Sequence, residues 1–213
     1  MMTAGVHDER LEQARAALAR AEEMASAPPP PRPGGRSADL EPSADLEPSA
    51  DREADPEAVA RAIVLRQLAM APRSRSQLEE KLRARACADD VARRVLDRFA
   101  ELGLVDDRAY AEALVRTRRE TKGLARRALA HELRRRGVDD DIVQESLADI
   151  ETPDEEEQAR RLVDKRLRSL HGLDVTVQTR RLAGMLARKG YSPAVSYRIV
   201  REALDAAPEH RRD

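Results

Sequence analysis

The 213-residue chain is long enough for one or two domains, and 41% of its residues are hydrophobic, which is sufficient for a folded core. Aromatic residues make up only 2%, so the core must be built from Ala, Leu, Val and Ile, and the abundance of helix formers predicts an all-α fold. A single cysteine, Cys87, excludes an intramolecular disulfide and a multi-cysteine metal site. The sequence has no apolar run of about 20 residues and no apolar signal-peptide core near its start, so we expect a cytoplasmic protein.

The N-terminal region, residues 1–56, is acidic. It carries six Arg against twelve Asp or Glu, whereas the remainder of the chain carries 33 basic and 28 acidic residues. A Pro-rich run at 28–36 is followed by three approximate six-residue repeats at 37–54. Such a composition cannot bury enough apolar surface to offset chain entropy. It predicts a mostly disordered extension, in which residues 8–26 could form a short, marginal amphipathic helix.

Beyond residue 56 the sequence repeats itself. Residues 78–96, 129–147 and 182–200 align without gaps at offsets of 51 and 53 residues. Self-similarity at a fixed period is the signature of a repeat architecture, so the chain is predicted to contain three copies of one helical module. The positions that are apolar in every copy include Leu78, Leu129 and Leu182; Leu82, Leu133 and Leu186; Val91, Ile142 and Val195; and, upstream, Val59, Tyr110 and Val163, and Ile63, Leu114 and Leu167.

Each module is predicted to contain three helices, with a tight turn between the second and the third. Gly137 and Gly190 stand where a left-handed residue would end the second helix. Asp139 and Ser192 follow as candidate N-caps of the third helix. The predicted fold is therefore all-α, with three tandem three-helix repeats after the disordered extension. The predicted boundaries of the repeats, and of a C-terminal tail, are 57–105, 106–152, 153–205 and 206–213.

No catalytic motif is present in the sequence. The four histidines are scattered without metal-ligand spacing, and there is no Gly-rich phosphate loop outside the predicted extension. The acidic pairs stand at predicted helix starts, where a capping role explains them. The sequence thus predicts a protein that is not an enzyme, with no catalytic residue, no metal site and no cofactor.

Basic residues are concentrated in two stretches at equivalent places of the second and third modules. Residues 108–138 hold ten Arg or Lys against three Glu, and residues 160–189 hold nine against two Asp. Such surfaces are typical of contact with nucleic acid or with an acidic protein groove, and the alternative is an ordinary solvated helix face. Because aromatic residues are scarce, nucleic-acid binding is expected to depend on phosphates and to ignore sequence. The candidate binding residues are Arg116, Arg119, Lys122, Arg126, Arg127, Arg134, Arg135, Arg180, Arg181, Arg188 and Lys189.

Three segments of the repeat region carry specific motifs. The most specific is LGLVDDRAYAEALVRTR at 102–118, in which a Leu-Gly turn precedes an Asp-Asp-x-x-Tyr-Ala helix start. The other two are HELRRRGVDDDIV at 131–143 and RRLAGMLARKGYS at 180–192. Together these segments resemble the RecX family, the regulators of the bacterial recombinase RecA. The resemblance covers about 57–205. Met185 departs from it, since the family often has an aromatic residue there, and the acidic extension lies outside the family core.

The resemblance implies an elongated, curved molecule that binds within the helical groove of the RecA–DNA filament. It implies restraint of the recombinase's ATP hydrolysis, strand exchange and co-protease activity. The expected partners are the filament and, without sequence preference, single- or double-stranded DNA, and the protein is expected to be a monomer that binds no membrane.

Two other functions remain open from the sequence. A helix-turn-helix regulator would use the third helix of a module for DNA recognition, but the candidate at 139–150 is acidic, and the other candidate is at 192–204. The second alternative is a structural adaptor that makes no contact with DNA.

Overall fold

The computed structural model describes residues 55–207, and in that range the chain forms nine α-helices, one short 3₁₀ helix and no strand. The prediction of an all-α fold is confirmed. The predicted disordered extension, including the helix at 8–26, lies outside the described residues except for its last two positions, and most of the predicted C-terminal tail lies outside them as well. The described chain divides into two compact units, residues 55–71 with 81–105 and residues 72–80 with 106–207.

The first unit is built on two packed helices, α1 (Pro56–Met70) and α3 (Asp89–Glu101). The end of α2 (Arg75–Arg83) also belongs to it. Helix α1 begins where the Asp55 side chain accepts a hydrogen bond from the Glu57 amide at 3.0 Å, which satisfies one of the unpaired N–H groups at the helix start. The buried apolar residues of this unit include Val64, Leu68, Leu82, Val95, Leu96 and Phe99.

The second module contributes three helices to the second unit: α4 (Asp107–Lys122), α5 (Arg126–Arg135) and α6 (Asp140–Ser146). Asp106 caps α4 by accepting hydrogen bonds from two backbone amides, and Asp139 caps α6 as its sequence position predicts. The apolar faces of the three helices meet in one core, which consists chiefly of Tyr110, Leu114, Leu129, Leu133, Val143 and Leu147.

The third module follows in the same unit, with α7 (Thr152–Leu167), a 3₁₀ turn (Arg168–Leu170), α8 (Val175–Arg188) and α9 (Pro193–Ala206). Ser192 caps α9 by accepting a hydrogen bond from the Val195 amide at 3.2 Å, and Pro193 occupies the first turn, where its missing N–H costs nothing. The core of this module is formed mainly by Ala159, Val163, Leu182, Leu186, Tyr191, Ile199 and Val200.

The turn between the second and third helices is the same in all three modules. Gly137 and Gly190 have φ values of 72° and 92°, and Ala86, which occupies the equivalent position of the first module, has a φ of 56°. The predicted left-handed geometry at both glycines is confirmed. A Cβ on Gly190 would lie 2.6 Å from the backbone nitrogen of Ala128, so this glycine is also required by the close approach of another segment.

The segment 72–80 packs on the second module through hydrogen bonds at the start of α2. The Ser74 hydroxyl donates to the carbonyl of Arg136 at 2.5 Å, and the Arg75 amide donates to Oδ1 of Asp107 at 2.8 Å. The first donor is a side-chain hydroxyl, and the second is one of the backbone amides that a helix start leaves without an intrahelical partner. The following module therefore supplies an acceptor for an amide that α2 cannot satisfy itself.

The contact between the second and third modules repeats this chemistry. Extending the repeat alignment upstream pairs Ala125 with Ser74, 51 residues earlier, and residues paired in this way are said to share a register position. The Ala125 amide donates to the carbonyl of Lys189 at 2.9 Å. The Arg126 amide, at the register position of Arg75, donates to Oε1 of Glu155 at 3.3 Å. Both junctions thus place a helix-end carbonyl and a carboxylate over the start of the preceding middle helix.

Candidate partner-binding surface

The basic residues of the second module fall into two groups, those held by acidic side chains and those without such a partner. Arg118 on α4 donates through Nε to both carboxylate oxygens of Glu132 on α5, at 2.9 and 3.2 Å. Arg136 donates to the same carboxylate at 2.7 Å and to the Tyr110 hydroxyl at 2.7 Å. These half-buried arginines tie α4 to α5, so their role is structural.

Glu132 is the centre of this network. Its partial burial opposes ionisation, but the hydrogen bonds from Arg118 and Arg136 outweigh that effect and hold the pKa of Glu132 below its usual range. The carboxylate is therefore charged at neutral pH, and it neutralises basic residues that a count of charges would assign to the binding surface.

The second group contains most of the predicted site. Its members lie on α4, on α5 or at their ends, and none has an ion-pair partner in the described range 55–207. All are exposed except Arg119, which is half-buried. Arg134, also predicted, is exposed but donates through Nε to Asp140 at 2.6 Å. The group consists of Arg116, Arg119, Lys122, Arg126, Arg127 and Arg135.

Two lysines from different modules meet within the second unit. The Lys189 ammonium, at the end of α8, donates a hydrogen bond to the carbonyl of Lys122 at the end of α4. Partial burial, followed by the positive charge of Lys122, lowers the pKa of Lys189. The predicted residue Lys189 is thus half-buried at the junction, where it adds positive charge next to the α4 end of the basic surface.

The third-module stretch is less basic than its composition suggests. Arg160 forms ion pairs with Glu156, Glu157 and Glu202, and Arg161 pairs with Glu157. The remaining predicted residues on α8 are exposed and have no ion-pair partner among residues 55–207: Arg180, Arg181 and Arg188.

A cleft of about 430 Å³ separates α5 and α6 from the facing residues of the third module. Arg126, Arg127 and Arg134 line one wall, and Glu155 and Glu156 line the other. A hydrogen bond from Arg198 lowers the pKa of Glu156, so this carboxylate is charged and already engaged. The basic surface therefore ends at an acidic wall. The guanidinium groups without an ion-pair partner in the described range keep their donors available for phosphates or carboxylates.

Sequence reasoning missed one feature, the exposed apolar residues of the third module. Val175 and Tyr197 are 45% and 61% exposed, and Tyr197 is the one exposed aromatic residue between 55 and 207. The signal was present in the repeat register, where Tyr197 occupies the position held by Arg93 and Gln144 in the other copies. An aromatic residue at a position that is otherwise polar marks a difference in surface.

The described residues contain no group of three or more His, Cys, Asp or Glu side chains that could hold a metal ion. No helix in the same range has the length and apolar character needed to cross a membrane.

The repeated three-helix modules and their junctions define a helical-repeat protein. Sequence models of the RecX family match the chain in three places: "RecX, first three-helix domain" at 60–99, "RecX, second three-helix domain" at 106–147 and "RecX, third three-helix domain" at 154–200. Each match falls inside one predicted repeat, while the exact repeat boundaries stay predictions. The chain belongs to the RecX family.

Similar proteins carry the name "Regulatory protein RecX". The one from Thermobifida fusca is 53% identical over 149 residues, which is 70% of this chain and 80% of the relative, and the one from Streptomyces coelicolor is 50% identical over 155 residues, 73% and 82%. The fold is similar to the crystal structure of RecX from Lactobacillus salivarius, with a TM-score of 0.62, 24% identity, and coverage of 70% of this chain and 97% of the other. The family is thus named for regulation, in keeping with the regulatory role predicted from the sequence.

Proposed function

We propose that this protein binds the RecA–DNA filament and inhibits the recombinase's ATP hydrolysis, strand exchange and co-protease activity. Membership of a family of regulatory proteins supports the general role. The observation that carries the proposal is the set of six basic residues on α4, on α5 and at their ends that have no ion-pair partner in the described chain. A DNA-containing filament offers phosphates and acidic side chains that such residues can bind.

The binding is electrostatic and does not read base sequence. Arginine forms paired hydrogen bonds with phosphate or carboxylate, but sequence discrimination also requires side chains that reach base edges. Helix α6, a candidate recognition helix, begins with Asp140 and Asp141, which would repel phosphate. The proposed partner is therefore the filament as a whole rather than a particular DNA sequence.

The regulator acts by occupancy and carries out no reaction of its own. Bound along the filament, it restrains the changes that accompany nucleotide turnover. We place this activity in the cytoplasm, where the recombinase acts, and we propose that the protein binds as a monomer.

Titration of the protein against RecA tests this function. Steady-state ATP hydrolysis by RecA on single-stranded DNA should fall in proportion to filament occupancy, while the protein alone hydrolyses no ATP. Binding to duplex DNA without RecA should be weaker and should not depend on sequence. Undiminished RecA turnover at concentrations that saturate the filament would contradict inhibition, and sequence-specific duplex binding would favour a DNA-binding regulator.

A further inference from the structure

The face formed by α8 and α9 carries an open groove. It consists of two adjoining clefts of about 560 and 760 Å³, which have Val175, Thr179 and Tyr197 in common. Its lining includes two small residues, Ala183, which is buried, and Ala187, which is exposed. The groove thus combines small apolar residues with an exposed aromatic side chain.

The equivalent face of the second module is a docking surface, as the aligned positions show. Thr179, Arg180, Ala183 and Tyr197 of the third module occupy the positions of Arg126, Arg127, Ala130 and Gln144 in the second. Those four residues line the cleft on which the third module packs, facing Glu155, Glu156 and the turn at 190–192. The α8–α9 groove is therefore the counterpart of an established docking face, and the previous occupant presents an acidic helix start.

A fourth module cannot bind there in the same way. At the earlier junctions the start of the middle helix donates to a carbonyl and a carboxylate of the following module. Helix α8 begins about one turn earlier, at Val175, and Asp174 caps it by accepting a hydrogen bond from the Thr176 amide at 2.8 Å. The Gln178 amide, at the register position of Ala125, donates to the Asp174 carbonyl at 2.9 Å. The backbone donors are satisfied internally, so the occupant must be held by side chains.

Three kinds of side chain are available for this. Val175 and Tyr197 offer exposed apolar surface. Ser196 is 2% exposed, lines the groove, and has a hydroxyl group without a hydrogen-bond partner in the described residues, where the other copies have Ala92 and Val143. Such an unpaired buried polar group is unusual in folded proteins. Arg201 is exposed at the rim and has no ion pair among residues 55–207.

We propose that the α8–α9 groove binds an acidic amphipathic helix of a protein partner. Apolar residues of that helix would cover Val175 and Tyr197, and its carboxylates would face Arg180 and Arg201. This is the helix-in-groove mode of recognition, in which a few buried anchors carry most of the affinity. The proposal rests on the proposed function, since the partner that presents the helix is the protein component of the filament.

The test compares groove variants with matched variants of the first unit. Tyr197→Ala and Arg201→Glu alter the groove. Arg93→Ala, at the register position of Tyr197, and Arg66→Glu are the controls, because both arginines are exposed and have no ion-pair partner between 55 and 207. Helical content and melting temperature are recorded for every protein. The probes are RecA filaments on single-stranded DNA and the same DNA alone.

The proposal predicts that Tyr197→Ala and Arg201→Glu each weaken filament binding about tenfold or more, whereas both controls stay within twofold. Affinity for DNA alone should be unchanged by Tyr197→Ala. Ser196→Val, which restores the residue type of the second module, should keep the fold and weaken filament binding several-fold. Equal filament binding by the parent and Tyr197→Ala overturns the groove assignment but leaves the proposed function intact. An equal loss on DNA alone makes the groove a nucleic-acid site, and failure of the parent to bind filaments overturns both proposals.

Discussion

The α5–α6 face of the second module and the α8–α9 face of the third module are built from equivalent positions of the repeat, but they differ in their surface residues and in what packs against them. The α5–α6 face is basic and is partly covered by the next module, which supplies acceptors to the start of α5. The α8–α9 face presents Val175 and Tyr197 and has a helix start that is capped by its own Asp174. A repeat therefore conserves core positions while its surface residues decide whether a face receives another module or remains open for a different partner.

The second and third modules share their core positions. Leu129 and Leu182 occupy the same register position and both are 0% exposed. Changing either to Ala should cost about 2–5 kcal/mol, because a buried cavity is added to the loss of apolar contact. Denaturant unfolding measures the difference. Leu102→Ala is the control, since Leu102 is 38% exposed, and its cost should stay below about 1 kcal/mol. A similar loss for all three variants would contradict the assignment of a common core.

The stability of the junction that covers the α5–α6 face should fall when a single carbon atom, a Cβ, is added at Gly190. Gly190→Ala places a Cβ 2.6 Å from the Ala128 nitrogen in a residue whose φ is 92°. Gly172 has a similar φ of 77°, but a Cβ there meets nothing within 4 Å. We expect Gly172→Ala to cost about 1 kcal/mol from backbone strain and Gly190→Ala to cost clearly more. Equal losses in thermal unfolding would show that the close approach does not matter.

Tyr191, at the same junction, should make the stability of the protein depend on pH in the alkaline range. Its hydroxyl donates to the Gly123 carbonyl at 3.2 Å, and burial, with a smaller effect of Glu155, raises the pKa of Tyr191 to about 12. The unfolded chain loses this proton near pH 10, so the stabilisation is complete below pH 10 and is lost as the pH rises towards 12. Tyr191→Phe should lower stability by about 1 kcal/mol at neutral pH.

The difference in unfolding free energy between the parent and Tyr191→Phe should shrink between pH 10 and 12. Tyr197→Phe is the control for the removal of a tyrosine hydroxyl, because Tyr197 is 61% exposed. A difference that stays constant over this range would contradict the pKa assignment.

The smallest expected effect concerns the turn between the second and third helices of the first module. Ala86 has a φ of 56° at the position where the other modules have Gly137 and Gly190. Ala86→Gly relieves the left-handed strain but adds freedom to the unfolded chain, so stability should rise by up to about 1 kcal/mol. Thermal unfolding of the variant measures this effect. A lower melting temperature would show that the first turn is not strained.

The sequence was sufficient to predict the modules, because their signals are local and repeated. Leu129 and Leu133 stand at positions that are apolar in every copy of the repeat, and both are fully buried. Gly137 and Ser192 were predicted from turn chemistry alone, and both adopt the expected roles. Agreement between apolar periodicity and capping in several copies is what made the prediction firm.

Less of the surface could be predicted, because the ion pair that a charged side chain forms depends on residues that are distant in sequence. Arg118 and Arg119 are neighbours in the chain, yet Arg118 is held by Glu132, fourteen positions away, and Arg119 has no ion pair in the described range. Lys189 was predicted as a partner-binding residue, and the sequence alone did not show that it is half-buried, with its ammonium donating to the carbonyl of Lys122. The exposure of Tyr197 likewise depends on which described residues pack against α8 and α9, and the repeat pattern does not give that.

The central claim is that the unpaired arginines of α5 bind the filament, and the double variant Arg126→Glu, Arg127→Glu tests it directly. The control is Arg66→Glu with Arg93→Glu, which makes the same change in charge on the first unit. Equilibrium binding to RecA filaments should weaken at least tenfold for the α5 variant and less than twofold for the control, with helical content retained in both. The parent's affinity should also fall as salt increases, and less steeply for the α5 variant. If the α5 variant binds as tightly as the parent at every salt concentration, these arginines are only a solvated helix face.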